Sequence, residues 1–385
     1  MSMAEAARLA RAPNAALAAV GVFWGGFSAY VPDIKAGIGA PDAAFGLAMM
    51  MSAVGGIAAM ALAPRIMARL GARCLWVAGL FLALAFAYPI LPRGVAGFGI
   101  AMALVGASVS LLDIGANMDL STLEARHNRH LMNFSHAMFS FAFAASALVS
   151  SLLRSAGHGV TVTFPLLVAI TLILVLATRQ NRDWQPEAAA PEGSDRRRPW
   201  GPIGMTGAIL FVSFVSENTA ETWSALHIER SLGGAAGHGG FGPVALGLTM
   251  GLGRLAGQVA ARRLGEAGLV LWSAVVGVAG GIVIALAPVP LVAILGVGLL
   301  GLGVAVIVPS ANSILGKLVR PDQRGHAISR AWMIGFTGFF IGPSAIGMIS
   351  EAAGLRAAFL TIAMLLATII PLILGMKRRP ATFQL

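Results

Sequence analysis

The chain has 385 residues, 57% of them hydrophobic and only 11% charged, with a net charge of +11. A soluble domain carries roughly twice that charged share, and a mean hydropathy of +0.81 over the whole length excludes one water-soluble core, because such cores stop growing and split into domains. The bilayer is the solvent that fits. One cysteine, Cys74, excludes an internal disulfide, and no Cys/His spacing suits a metal site.

A membrane-spanning helix needs about 20 apolar residues. Twelve stretches qualify in chain order, at 14–32, 43–63, 74–92, 96–119, 132–153, 160–178, 201–222, 241–261, 267–287, 291–314, 328–349 and 356–376. Arg8 and Arg11 are followed by no cleavage pattern, so the first stretch reads as a retained helix. An even number of spans puts both termini on one side.

The positions of the basic residues set the orientation and argue against nucleic acid as partner. With the termini in the cytoplasm, the inner segments hold 20 Lys or Arg residues and the outer loops five: Lys35, Arg93, Arg154, Arg230 and Arg356. That is the positive-inside pattern. Both termini are expected in the cytoplasm of a bacterial inner membrane. Arg330 sits at an inner span edge, where it can snorkel to the headgroups. His127 and His130, in a basic loop, read as solvated.

The longest polar stretch, Arg179 to Trp200, carries Pro, Glu, Asp and three consecutive arginines. It reads as a cytoplasmic linker between two bundles. Arg69-Leu70-Gly71 after the second stretch recurs as Arg263-Leu264-Gly265 after the eighth, 194 positions on. The expected architecture is an all-α polytopic membrane protein of twelve transmembrane helices in two pseudo-symmetric six-helix bundles. Residues 1–178 form the first bundle, 179–200 the linker and 201–385 the second.

Pro64-x4-Arg69-Leu70-Gly71-Ala72-Arg73 resembles the loop motif of the major facilitator superfamily, Gly-x3-Asp-Arg-x-Gly-Arg-Arg. Ala68 stands at the Asp position and Pro64 at the leading Gly, while Arg69, Gly71 and Arg73 are kept. Further strings resemble a poorly characterised bacterial branch near the fucose permease. They are Pro32-Asp33-Ile34-Lys35, Phe45-Gly46-Leu47-Ala48, Asp113-Ile114-Gly115-Ala116-Asn117-Met118, Ser135-His136-Ala137-Met138-Phe139-Ser140, Glu217-x5-Trp223-Ser224-Ala225-Leu226 and Gly253-Arg254. The resemblance implies the facilitator fold and solute transport, with Arg69, Gly71 and Arg73 in a gating loop. It supplies no substrate.

A charge at the bilayer centre costs about 2.5–3.5 kcal/mol on insertion scales, so each one needs a reason. Four interior residues ionise: Asp113, His136, Glu217 and Arg254. Asp113 and His136 flank a short turn near Ala125 at nearly equal distances along the chain, so they are expected at similar depth. A carboxylate beside an imidazole suits proton coupling, and a fixed bond tying two helices is the alternative. Asn117 is i+4 from Asp113 and shares its helix face. Arg254 lies about 12 Å from the inner end of its span and either binds an anionic solute group or pairs with Glu217. Glu221 reads as a solvated outer-rim residue.

Asn312, Asn133 and the aromatic Trp24, Phe139 and Trp332 are either solute contacts or helix packing. Gly335, Gly338, Gly342-Pro343 and Gly347 make the eleventh stretch a kinkable helix, with Gly342-Pro343 as a gate hinge.

The expected function is a secondary transporter, a monomer, that moves a small polar organic solute, sugar-like or carboxylated. Coupling is to protons at Asp113 and His136, with Asn117, Glu217, Arg254, Asn312 and Trp24 meeting solute. No cofactor or metal is expected. A proton-driven exporter of amphipathic compounds is the first alternative. Against it, the fifth stretch lacks the Gly-Pro of drug–proton exchangers, and the fourth has Asp113 where they carry arginine. A non-transporting membrane sensor is the second, without a soluble signalling domain to support it. An enzyme is not expected, because no nucleophile–base pair appears.

Overall fold

The computed structural model describes residues 3–87, 94–127, 131–179, 199–320 and 323–377. A short helix, α1 (Met3–Leu9), precedes α2 (Arg11–Gly37), α3 (Asp42–Leu70), α4 (Cys74–Ala87), α5 (Val95–His127), α6 (Met132–Ser155) and α7 (Val160–Ala177). After the linker stretch come α8 (Trp200–Leu226), α9 (Phe241–Leu264), α10 (Glu266–Leu286), α11 (Pro290–Val304), α12 (Ile307–Leu318), α13 (Arg324–Ala367) and α14 (Ile369–Lys377). No strand occurs among the described residues. In lipid, a helix satisfies every backbone N–H and C=O from within its own segment, which is why so apolar a chain folds this way.

Nine stretches among the described residues are long and apolar enough to cross a membrane. The protein is therefore an all-α, multi-pass membrane protein. Helices α8 and α9 fall outside the nine; they carry Glu217, Glu221 and Arg254, which dilute their apolar character.

Several boundaries differ from expectation. The stretch at 291–314 divides into α11 and α12 around Ala305 and Val306. The stretches 328–349 and 356–376 run together through α13, which bends at Gly354, where φ is 81°. Positive φ is a conformation glycine adopts without a Cβ clash. Most of the expected linker lies outside the described residues, as do Arg93, Arg129, His130 and residues 88–92 of the third stretch, while Trp200 opens α8.

Small residues let the helices meet backbone to backbone, as they must where lipid removes the hydrophobic drive for association. A Cβ on Gly25 would stand 2.1 Å from the Phe143 carbonyl oxygen, so α2 lies directly on α6. Gly55 and Gly106 do the same for α3 and α5. Helices before the linker also pack on helices after it, α3 on α13 and α6 on α9. At the first of these, a Cβ on Gly46 would fall 2.2 Å from the Pro343 carbonyl oxygen.

Candidate functional site

A chain of polar contacts crosses the interior through α5, α6, α9 and α8. Asn117 and Asp113 share a face of α5, and the Asn117 amide donates to the Asp113 main-chain oxygen at 2.9 Å. The Asn117 Oδ1 accepts from His136 Nε2 on α6 at 3.1 Å. One turn along α6, the Ser140 hydroxyl donates to the His136 carbonyl at 3.1 Å. Arg254 reaches over from α9, and its Nη1 donates to Ser140 Oγ at 2.5 Å and to the His136 carbonyl at 3.2 Å. Its Nη2 meets Glu217 Oε1 on α8 at 3.4 Å.

This geometry refines two expectations. Asn117 bonds the His136 ring and the Asp113 main-chain oxygen, so it ties α5 to α6 without joining the Asp113 carboxylate to the imidazole. Arg254 and Glu217 do approach each other, at a separation longer than the 2.7–2.9 Å of a strong charge-assisted bond. Between Thr206 and Ile228, α8 has no exposed residue, and in its second half the half-buried positions are Glu217 and Glu221. These two are one turn apart on a helix otherwise packed by protein. Glu221 therefore faces the interior and is not a solvated rim residue.

A cavity of about 390 Å³ ends against Arg254. Asn133 of α6, Gly257 of α9, and Val306, Ser310 and Ser313 around α12 line it, and Arg262 and Glu266 border it. Arg262 is exposed and marks the mouth. Glu266 is already held by Lys317 at 2.8 Å and by the Ser313 hydroxyl. Glu217 does not line this cavity. Asn312 does not line it either, and its buried Oδ1 has no partner.

The opposite end of the molecule is closed by ion pairs. Arg154, at the last turn of α6 and 6% exposed, is gripped by two carboxylates. Its Nε and Nη2 donate to Asp33 at 2.8 and 2.5 Å, and its Nη1 and Nη2 donate to both oxygens of Glu229. Glu229 also accepts the main-chain N–H groups of Gly237 and Gly239, each at 3.1 Å. Nearby, Arg230 donates in a fork to the two oxygens of Asp42 at 2.7 and 2.5 Å. Lys35 at 2.9 Å and the Ser350 hydroxyl at 2.5 Å complete the shell of Asp42. Two clusters thus tie residues 33–42 and 154 to residues 229, 230 and 350.

None of these ion-paired residues was singled out for function from sequence. Arg154 was expected in an outer loop, but α6 runs on to Ser155 and buries it. A signal was present, since Asp33, Lys35, Asp42, Glu229 and Arg230 bring charges of both signs to span ends on one side.

The remaining expected positions are dispersed. Trp24 is half-buried and packs edge-on against Phe23 and Phe27, at centroid distances of 5.0 and 5.8 Å. Arg69 lies in the last turn of α3, Gly71 turns the chain with φ of 51°, and Arg73 is exposed in the turn that follows. Gly342 and Pro343 are buried within α13, which stays helical across them.

Comparison with known proteins agrees with this architecture. The family model described as Major Facilitator Superfamily matches residues 206–384. An uncharacterized MFS-type transporter of Yersinia pestis is 29% identical over 341 residues, covering 88% of either chain. Among solved structures, a D-xylose-proton symporter superposes with a TM-score of 0.77 at 16% identity, covering 99% of both chains. A bacterial homolog of the human lysosomal transporter Spinster, in an inward-facing and unoccupied conformation, superposes at 0.72 with 13% identity and 98% of both chains.

Proposed function

We propose that this chain is a member of the major facilitator superfamily and carries a small polar organic solute by alternating access, with protons as the coupling ion. The observation that carries the reading is the interior chain of polar contacts from Asp113 through Asn117, His136, Ser140 and Arg254 to Glu217. Ionisable groups at that depth are costly, and they persist where they line a solute or ion path. One end of this path is shut by the Arg154 and Arg230 clusters, and the other meets a cavity. The positive-inside count makes the shut end the outer one. The conformation is then inward-facing.

In this reading, Asp113 and His136 handle the proton, with Asn117 as the hydrogen-bonded link between their helices. Arg254 and Glu217 meet solute, and Trp24 and Asn312 become contacts in other stages of the cycle. Residues 1–178 and 201–385 rock against each other about the 179–200 linker, in an inner membrane, with both termini cytoplasmic. The loop with Arg69, Gly71 and Arg73, and the Gly342-Pro343 step, serve gating. The experiment is transport in proteoliposomes with Asp113→Asn, which keeps shape but cannot titrate. Accumulation driven by a pH gradient should be lost while solute exchange is kept, because exchange moves no net proton. Accumulation that survives would remove Asp113 from the proton path.

A further inference from the structure

The pair at the head of the cavity constrains the class of solute. Arg254 presents two sides. Its Nη1 is committed to Ser140 Oγ and the His136 carbonyl, which fix the guanidinium against α6. Its Nη2 has Glu217, at 3.4 Å. The cavity is lined by Arg254 and not by Glu217, so a solute entering from the Arg262 mouth reaches the guanidinium first.

The two partners differ in what they can do when separated. An arginine stays charged at any pH a protein meets, whereas a carboxylate without its counter-charge in a membrane interior takes up a proton. A cationic solute that captured Glu217 would strand Arg254 as an uncompensated buried charge. An anionic solute that captured Arg254 would strand only Glu217, which protonation neutralises. A neutral solute would leave the pair closed and move no proton at Glu217. The arrangement therefore discriminates by charge.

We propose that the transported solute bears a carboxylate, which takes Arg254 from Glu217 so that Glu217 binds one proton with each solute. The proposal rests on the polar-solute reading above and adds Glu217 as a second proton-binding group beside Asp113. The step balances. The empty site holds Arg254⁺ and Glu217⁻, and the loaded site holds Arg254⁺, the solute carboxylate and neutral Glu217, so its net charge is the same in both. Both forms can then reorient at a similar electrostatic cost. Asn133 and Ser310, which face the cavity, supply hydrogen bonds for hydroxyl or carbonyl groups on the same solute.

The charged surroundings of Glu217 allow this exchange. Arg254 faces it from α9, and Glu221 stands one turn away on its own helix. Apart from Arg254 and Tyr30, the helices packed on α8 keep their ionisable groups near their ends or at the α13 bend. These are Arg11, Asp33 and Lys35 on α2, Arg262 and Arg263 on α9, Lys317 on α12, Arg324, His326, Arg330, Glu351 and Arg356 on α13, and Lys377 on α14.

The test uses the purified full-length transporter in weakly buffered detergent, with three matched pairs: galacturonate and galactose, gluconate and glucitol, lactate and propane-1,2-diol. At least one acid should raise the melting temperature while its neutral counterpart does not. Binding of that acid should take up close to one proton per molecule, read with a pH indicator. Glu217→Gln should retain the stabilisation and lose the proton. Arg254→Lys should weaken binding at least tenfold, because an ammonium cannot offer the guanidinium fork. A neutral member that stabilises as well as its acid would overturn the carboxylate proposal and leave the polar-solute reading standing. So would acid binding to the wild-type protein without proton uptake, a readout that stands even if both variants fail to fold. Stabilisation by no member of either series would remove both readings together.

Discussion

Replacing Glu229 by Gln tests whether the ion-paired end is a working gate. The amide keeps the size of the side chain and an oxygen for the N–H groups of Gly237 and Gly239, so the local backbone is retained. What is lost is the negative charge against Arg154, a residue only 6% exposed. Removing one partner of a buried pair costs about 3–5 kcal/mol. Asp33 remains on the guanidinium, although it is 43% exposed; the net loss to the closed state is then about 2 kcal/mol, a shift of roughly thirtyfold towards opening. The assay is labelling of a cysteine beneath the seal in a Cys74→Ser background. Ser151→Cys serves, since Ser151 is 0% exposed and its Oγ would lie 1.9 Å from a Cβ on Gly240. With a membrane-impermeant maleimide added outside, Glu229→Gln should raise the labelling rate by roughly thirtyfold when opening is fast relative to labelling. A rate within twofold of the parent would refute the gate. Faster labelling from the inside alone would show that the substitution loosened the fold instead.

Three further substitutions probe the same framework. Gly46→Ala should push α3 from α13, because its Cβ would meet the Pro343 carbonyl oxygen at 2.2 Å; a loss of about 1–3 kcal/mol should appear as a lower melting temperature. Tyr30→Phe removes the hydroxyl that donates to the His158 carbonyl at 2.7 Å and pairs with Thr163 Oγ1 at 2.6 Å. With Thr163 fully buried, the expected cost is about 1–3 kcal/mol, read by thermal unfolding, and an unchanged melt would show that neither bond matters. Pro343→Ala should slow turnover more than it weakens solute affinity if the Gly342-Pro343 step bends during transport, a comparison made with initial rates in proteoliposomes.

The helical architecture was legible because apolar runs of span length report directly on the solvent the chain must meet. The residue strings that resemble a facilitator branch acquire a physical meaning in the structure. Phe45-Gly46 brings α3 against the Pro343 carbonyl and sets the Phe45 ring 5.8 Å from that of Trp223. The Ser135–Ser140 string supplies His136 and Ser140 to the interior chain, and Pro32–Lys35 supplies Asp33 and Lys35 to the sealed end. Depth arguments placed Asp113 near His136 but gave no information about side-chain rotation. Asn117, one turn further along α5, is the residue whose side chain meets the His136 ring. The seal was illegible for a different reason. Arg154 meets Asp33 across 121 positions and Asp42 meets Ser350 across 308, and no local periodicity encodes pairings so distant. The α11–α12 break was also missed, since residues 291–314 read as one unbroken apolar run.

Helices α6 and α8 take part in both the interior chain and the ion-paired end. Helix α6 bears His136 and Ser140 in the interior and Arg154 at the sealed end. Helix α8 bears Glu217, and the turn that continues it bears Glu229 and Arg230. At 1.5 Å per residue, Glu217 and Glu229 are about 18 Å apart along one continuous helical run. Arg254 links these two helices in the interior, and Arg154 links them again at the end. Under the proposed carboxylate exchange, a solute that draws Arg254 away from Glu217 changes one of these two arginine ties between α8 and α6. The other tie then bears the relative motion of the helices. Because packed interfaces switch between discrete arrangements and do not deform continuously, loosening at Arg254 and opening at Arg154–Glu229 become alternatives of one equilibrium. That is the property the proposed alternating access requires: in that reading, occupancy in the interior biases which end is shut through two helices and the arginines between them.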